Sequence, residues 1–307
     1  MGRSRILSER PKGKSPSAGD RPHLLLMDEP EICLHPDAIR EARRVLYDLP
    51  ATMRWQVMIT TPSPVFIDLS RDNTSIACVE RLSGGIVQGT TIFRPKKAKL
   101  DDDDRVELKL LNLCDPYVAE FFFGGRTVLV EGDTEYTAFR HVVSCNDAKY
   151  EGVHVVRARG KACLVALCKI LNHFDKGYAI LHDSDRKDVI EKKTKNKRAN
   201  PAWTENSKIL GETEAGRNSG KVRLLASVPN FEEAFFGEEA HHDKPYSALA
   251  RLKADESAFL TIATLLDCLL DNSQKVPGGA VEWSTIDELE AAVAAFDAKN
   301  ETTSEVH

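Results

Sequence analysis

An α/β fold, with a parallel sheet flanked by helices, is predicted by three features of the 307-residue sequence. From Arg126 onward short apolar runs alternate with segments of helical periodicity, the pattern of strands joined by crossover helices. Two of those runs, 127–130 and 178–181, are apolar throughout and end at acidic residues, as buried parallel strands with a polar rim do. The tail from 244 to 296 carries apolar stripes at helical spacing and is expected to form a helical element at the carboxyl end. With 42% hydrophobic and 29% charged residues, the chain can bury a substantial core, divided into two or three structural units.

Each element has its own local reason. Residues 1–20 are rich in Arg, Lys, Ser, Pro and Gly without periodicity and are expected to be a disordered leader. A strand at 23–27 leads through a loop to Pro36, and a helix follows at 37–49, with Pro at its first turn and Ile39, Val45 and Leu46 on one side. A strand at 55–59 precedes a β-hairpin over 74–93, turning at Gly84-Gly85. The acidic run 101–104 opens a helix, where the macrodipole favours negative charge. Then come strand 127–130, helix 133–144, strand 153–157, a turn at Gly160, helix 161–174, strand 178–181, a basic loop with a polar helix, and strand 222–228. Stripes at Tyr246, Leu249 and Leu252, at Phe259, Ile262, Leu265 and Leu269, and at Ile286, Leu289 and Val293 are expected to face a core.

Ligands of open α/β sheets sit beyond the carboxyl ends of the strands, and there the sequence sets Glu131 and Glu135, then Asp183 and Asp185. Pro229-Asn230-Phe231-Glu232-Glu233 adds an acidic pair after the strand at 222–228. Adjacent residues of extended backbone point apart, so one of Glu232 and Glu233 is expected in the crevice and the other outside it. Carboxylates this close repel and rise in pKa unless a cation sits among them, and a hard oxygen set suits Mg2+, Mn2+ or Ca2+. Each acid also has a plain structural reading, Glu131 as a helix N-cap and Glu135 as a first-turn residue.

Glu131-Gly132-x-x-Glu135 followed by Asp183-x-Asp185 resembles the Toprim domain of topoisomerases, primases and certain nucleases. Upstream, residues 23–36 (His-Leu-Leu-Leu-Met-Asp-Glu-Pro-Glu-Ile-Cys-Leu-His-Pro) resemble the Walker B and D-loop segment of ABC-type ATPases, with Asp28, Glu29 and His35 as motif remnants. Thr60-Thr61-Pro62-Ser63-Pro64 is similar to their switch loop, with Pro62 in place of the His. The combination resembles the OLD (overcoming lysogenisation defect) nucleases over roughly residues 20 to 240.

That resemblance implies a partial ATPase-like segment at 21–100, a Toprim catalytic domain at 101–240 and a helical element at 241–307. It implies a DNA endonuclease acting through two Mg2+ ions about 4 Å apart. Glu131 and Asp183 would serve the first ion, with Glu135, Asp185 and Glu232 or Glu233 toward the second, and Lys244 would be the basic residue that approaches the centre from the helical part. DNA as substrate, a homodimer formed through the ATPase region and a partner protein in a defence system belong to the same implication. No autonomous ATPase is expected, and ATP would bind only in a complete ATPase domain: Gly13-Lys14-Ser15 ends a P-loop string, but Ser8 stands where Gly is required and no apolar strand precedes it. Leu82-Ser83-Gly84-Gly85 mimics an ABC signature but falls between two β-like runs.

The formal net charge of −5 argues against binding nucleic acid by bulk electrostatics. Locally, however, Arg186, Lys187, Lys192, Lys193, Lys195, Lys197 and Arg198 follow the Asp-x-Asp and form a candidate clamp for a phosphate backbone, against the plain reading of a solvated loop. Trp203 is either a base-stacking platform or a buried indole. Arg157, Arg159, Gly160 and Lys161 fit an ordinary strand-to-helix turn as well as a phosphate contact, and His182 fits a structural role. Seven cysteines without a C-x-x-C pair exclude a disulfide framework and a zinc site of that type, and Cys163 and Cys168 lie in an apolar helical pattern as core thiols. No apolar run reaches membrane-span length and residues 1–10 lack a signal-peptide core, so a cytoplasmic protein is expected. Two other functions fit a Toprim domain: topoisomerase- or primase-like chemistry, and a non-catalytic nucleic-acid-binding or dimerisation module.

Overall fold

The computed structural model describes residues 22–304 apart from 53, 72, 82–83, 116–117, 191–195 and 238–242. The leader at 1–20 and the basic residues Lys192, Lys193 and Lys195 lie outside the described residues. The chain divides into two compact units, Met1–Phe66 and Ile67–His307.

In the smaller unit, β1 (His23–Asp28) pairs in parallel with β2 (Trp55–Thr60), and α1 (Pro36–Thr52) connects them. The paired strand ends bring Asp28 to Thr60, whose hydroxyl donates to its carboxylate. Glu31 likewise accepts from the Thr61 hydroxyl at 2.5 Å, while His35 sits beside Asp37 at the start of α1, 3.8 Å away. Glu29 adopts a left-handed backbone, φ 42°.

The larger unit is a three-layer α/β/α assembly. Strands β3 (Ile76–Arg81) and β4 (Val87–Phe93) form the antiparallel hairpin, and α2 (Asp102–Cys114) follows. The acidic run caps this helix: Asp101 and Asp104 form a reciprocal capping box, and Lys169 reaches Asp104 at 2.6 Å. Next come β5 (Arg126–Val130), α3 (Asp133–Cys145), β6 (Val153–Arg157), α4 (Lys161–His173) and β7 (Tyr178–Asp183). Two short strands, β8 (Asp188–Ile190) and β9 (Lys197–Ala199), precede α5 (Pro201–Asn218), β10 (Val222–Ser227), α6 (Phe231–Phe236), α7 (Lys244–Ala254), α8 (Glu256–Leu270), β11 (Ala280–Glu282) and α9 (Ile286–Ser304).

The central sheet runs in the order β11-β10-β7-β5-β6, with β10, β7, β5 and β6 parallel and β11 antiparallel on the edge. Alternation sorts each strand between two cores. Leu129, Val156, Ile180 and Leu224 pack with α2, α4, α5 and α9 on one face; Val128, Val130, Val155, Leu181 and Leu225 pack with α3, α6, α7 and α8 on the other. Residues 67–100 contribute Leu69, Phe93 and Leu100 to the first of these cores, where the Phe93 and Phe174 rings stack at 5.8 Å.

Two expectations need correction. The tail is not wholly helical, because residues 280–282 add an edge strand too short to show a period. The basic segment after Asp185 is not a plain loop, since β8 and β9 pair as an antiparallel ribbon. Trp203 is a core residue, 8% exposed, and Cys163 and Cys168 are buried, with both thiols pushed up to about 12 by burial. No helix among the described residues is long and apolar enough to cross a membrane.

Candidate active site

Because β5, β7 and β10 are neighbours and parallel, their carboxyl ends deliver three acidic segments to one rim. Glu131 follows the last residue of β5, Asp183 ends β7, and Glu232 lies in the first turn of α6, immediately after β10. Glu135 enters from the first turn of α3.

Direct contacts link these segments. The Asp183 backbone N–H donates to Glu131 Oε2 at 3.1 Å, and the Phe231 N–H donates to Asp183 Oδ1 at 2.8 Å. The Thr134 hydroxyl donates to Glu232 Oε1 at 2.8 Å. Glu135 is 4% exposed, and its carboxylate packs so closely on Gly132 that a Cβ there would stand 2.9 Å from Oε2. A Cβ at the Gly of Glu-Gly-x-x-Glu would thus displace the carboxylate of the second Glu, although the extended backbone there is open to any residue.

The electrostatics are those of acids crowded out of water. Burial raises Glu131 to about 6, with Lys161 opposing and Asp185 adding repulsion. Burial likewise raises Glu135 to about 8, reinforced by the charges of Glu131 and Glu232 and opposed by backbone N–H groups. Asp183 is driven well above the usual carboxylate range by burial and then by repulsion from Glu135 and Glu131.

Glu232 and Glu233 part company, although for a different reason than expected. They lie on a helix rather than on extended backbone, so about 100° of helical rotation separates them. Glu232 turns inward to Thr134, while Glu233 turns to the Arg186 guanidinium at 2.9 Å. Burial would raise Glu233, but the hydrogen bonds and charge of Arg186 outweigh it and leave the carboxyl low. Lys244, the first residue of α7, brings its ammonium to 3.5 Å from Glu232 Oε2.

The basic candidates divide. Arg186 is held by Glu233 and Asp297, Lys187 by Glu290 at 2.9 Å, and Lys197 by Asp188 at 2.9 Å. Arg198 is exposed on β9. Arg186 therefore joins α6 and α9 to the Asp-x-Asp loop and does not project outward. His182 is fully buried, its Nδ1 at 2.8 Å from the Asp183 carbonyl and its ring edge-on to Trp283, and burial lowers it to about 3.

Sequence reasoning weighed Lys161 only as a turn residue or a phosphate contact, whereas the structure brings it to the rim as an ion-pair partner of Asp185. The available signal was its place directly after Gly160, where the second crossover helix of the central sheet begins. Among the described residues no three acidic, His or Cys side chains stand arranged around a metal position; instead, protein donors engage the individual carboxylates.

Residues 122–185 match the family described as overcoming lysogenization defect protein-like, TOPRIM domain. This stretch of the chain is similar to the Toprim domain of the OLD family. Glu131, Glu135, Asp183 and Asp185 all fall inside the matched span. Two relatives extend the similarity beyond this Toprim domain. The chain is 27% identical over 242 residues to a protein named OLD nuclease from Thermus scotoductus (strain ATCC 700910 / SA-01), covering 76% of this chain and 44% of that protein. It is 24% identical over 222 residues to the Old nuclease of Escherichia phage P2, covering 68% of this chain and 35% of that protein. The chain thus spans less than half the length of these curated relatives.

Proposed function

We propose that this chain acts in a metal-dependent DNA endonuclease of the OLD type, hydrolysing phosphodiester bonds at the rim formed by β5, β7 and β10. The observation that carries the proposal is the hydrogen bond from the Asp183 backbone to Glu131 across adjacent strand ends, with Glu135 and Glu232 near enough for their charges to act on Asp183. The names of the two relatives support the nuclease class.

The donor set fits a hard divalent cation. It is all oxygen, and burial and mutual repulsion push the carboxyls of Glu131, Glu135 and Asp183 upward, a strain that a cation would relieve. Glu131, Glu135 and Asp183 are the residues that would hold one ion, with Asp185 and Glu232 toward a second. Bound Mg2+ or Mn2+ would supply Lewis-acid charge that lowers the pKa of a water and offsets charge on the phosphate. The protein's own part is to fix the acids from three rigid elements and to set Lys244 beside Glu232, where its ammonium faces the same rim. Arg198, exposed on β9, offers a cationic contact to the flanking backbone of DNA.

Supercoiled plasmid incubated with the protein and Mg2+ or Mn2+ tests this reading. Conversion to nicked or linear product is expected, with loss of conversion in Glu131→Ala and Asp183→Ala. Equal nicking by the wild type and both variants would refute the role given to the acids, and an inert wild type under either ion would refute the endonuclease.

A further inference from the structure

Lys161 occupies a position that local physics disfavours twice. It is the first residue of α4, where the helix macrodipole repels a cation, and its side chain is only 3% exposed, where an ammonium loses its hydration. Such a residue persists when it is fully partnered or when it is used. Its carboxylate partner is Asp185, through Oδ2, and the Ala202 carbonyl accepts a longer hydrogen bond at 3.4 Å.

Asp185 is the acid most in need of support. Its backbone is left-handed, φ 59°, in the turn after β7, and the side chain is 28% exposed. The backbone is pinned by its N–H on the Pro229 carbonyl at 2.8 Å. For the carboxylate, the Lys161 ammonium is the only hydrogen-bond donor seen among the described residues.

We propose that Lys161 is a positioning residue that holds the Asp185 carboxylate toward the rim by one oxygen, leaving the other for a divalent cation. The inference rests on the metal-dependent reading above and adds to it a residue that neither the motif nor the basic run contains. An ammonium so buried at a helix start cannot withdraw when a cation arrives, so it supports the ligand and does not compete for it. Without it, the partly exposed carboxylate turns to water. Partners of this kind behind metal ligands typically contribute 10- to 100-fold in metal affinity.

The test is Mn2+ binding to the full-length protein, counted from the free-ion electron paramagnetic resonance signal, in the wild type, Lys161→Met, Lys161→Arg, Asp185→Asn and the Lys161→Met/Asp185→Asn double variant. Lys161→Met is expected to weaken at least one Mn2+ by roughly tenfold or more, and Lys161→Arg to recover much of the loss. In the Asp185→Asn background the Lys161→Met change should have no further effect, because the lysine acts through that carboxylate. The Asn background also removes the carboxylate charge left without its partner in the single Met variant, so comparing the double variant with Asp185→Asn keeps the cycle readable if the single one unfolds. Unchanged or tighter Mn2+ binding in Lys161→Met, or an equal loss in both backgrounds, would overturn the positioning role while leaving the metal site standing. Absence of Mn2+ binding by the wild type would overturn the metal-dependent reading and this inference with it.

Discussion

Glu135 shows how a single side chain couples the site to pH. Its carboxyl and that of Glu131 are raised, to about 8 and about 6, above the ordinary range near 4.5, so the folded chain holds protons that the unfolded chain releases. The sign follows: their contribution to metal-free stability is complete below about pH 4.5 and is lost as pH rises through 6 and then 8. With each pKa unit worth about 1.4 kcal/mol, the loss is on the order of a few kcal/mol. In EDTA the melting temperature should therefore fall between pH 5 and pH 8.5, Mg2+ or Mn2+ should recover it at the upper end, and Glu135→Gln should flatten the profile. A melting temperature that climbs over that interval would contradict the burial-driven shifts. At this scale the acids of the motif were legible in the sequence, since strand ends and spacing locate them. The choice of Glu232 over Glu233 was not, because it depends on α6 being helical and on Arg186 drawing Glu233 away.

Among the elements, β10 and α8 illustrate a join that no local pattern reveals. Arg223 on β10, a buried residue, donates to the carbonyls of Cys268, Asp271 at 2.7 Å and Gln274 at 3.1 Å, and pairs with Glu282 of β11 at 3.0 Å. A guanidinium fork is suited to the end of α8, where carbonyls lack intrahelical partners and the dipole favours a cation. Arg223→Ala should lower stability by roughly 3 kcal/mol, read from urea unfolding, because several buried acceptors lose their donor together. A change under about 0.5 kcal/mol would show that water replaces the fork. The strands and helices from β5 to β10 were legible because alternation of apolar runs and helical periods is unambiguous at these lengths. The three-residue strands β8, β9 and β11 were not, since three residues carry no period and their pairing is tertiary.

For the molecule as a whole, a net charge of −5 sets binding of DNA against a repulsive background. Several apparent cations are already committed, Arg186 and Lys187 to acids of α6 and α9 and Lys197 to Asp188. The salt dependence of DNA binding should accordingly be shallower than the basic run suggests. Arg198→Ala is expected to reduce the slope of log affinity against log salt by about one. Fluorescence anisotropy with a labelled duplex across a salt series gives that slope, and an unchanged value would remove Arg198 from the interface.

The sequence by itself determined the α/β alternation and the placement of Glu131, Glu135, Asp183 and Asp185 at or just after strand ends, because both follow from short-range periodicity and spacing. Tertiary structure alone decided that β10, β7 and β5 lie side by side, that Lys161 meets Asp185, and that Arg186 is paired with carboxylates. Those outcomes depend on the order of strands and on which distant charges burial brings together, and neither is encoded in any window of neighbouring residues.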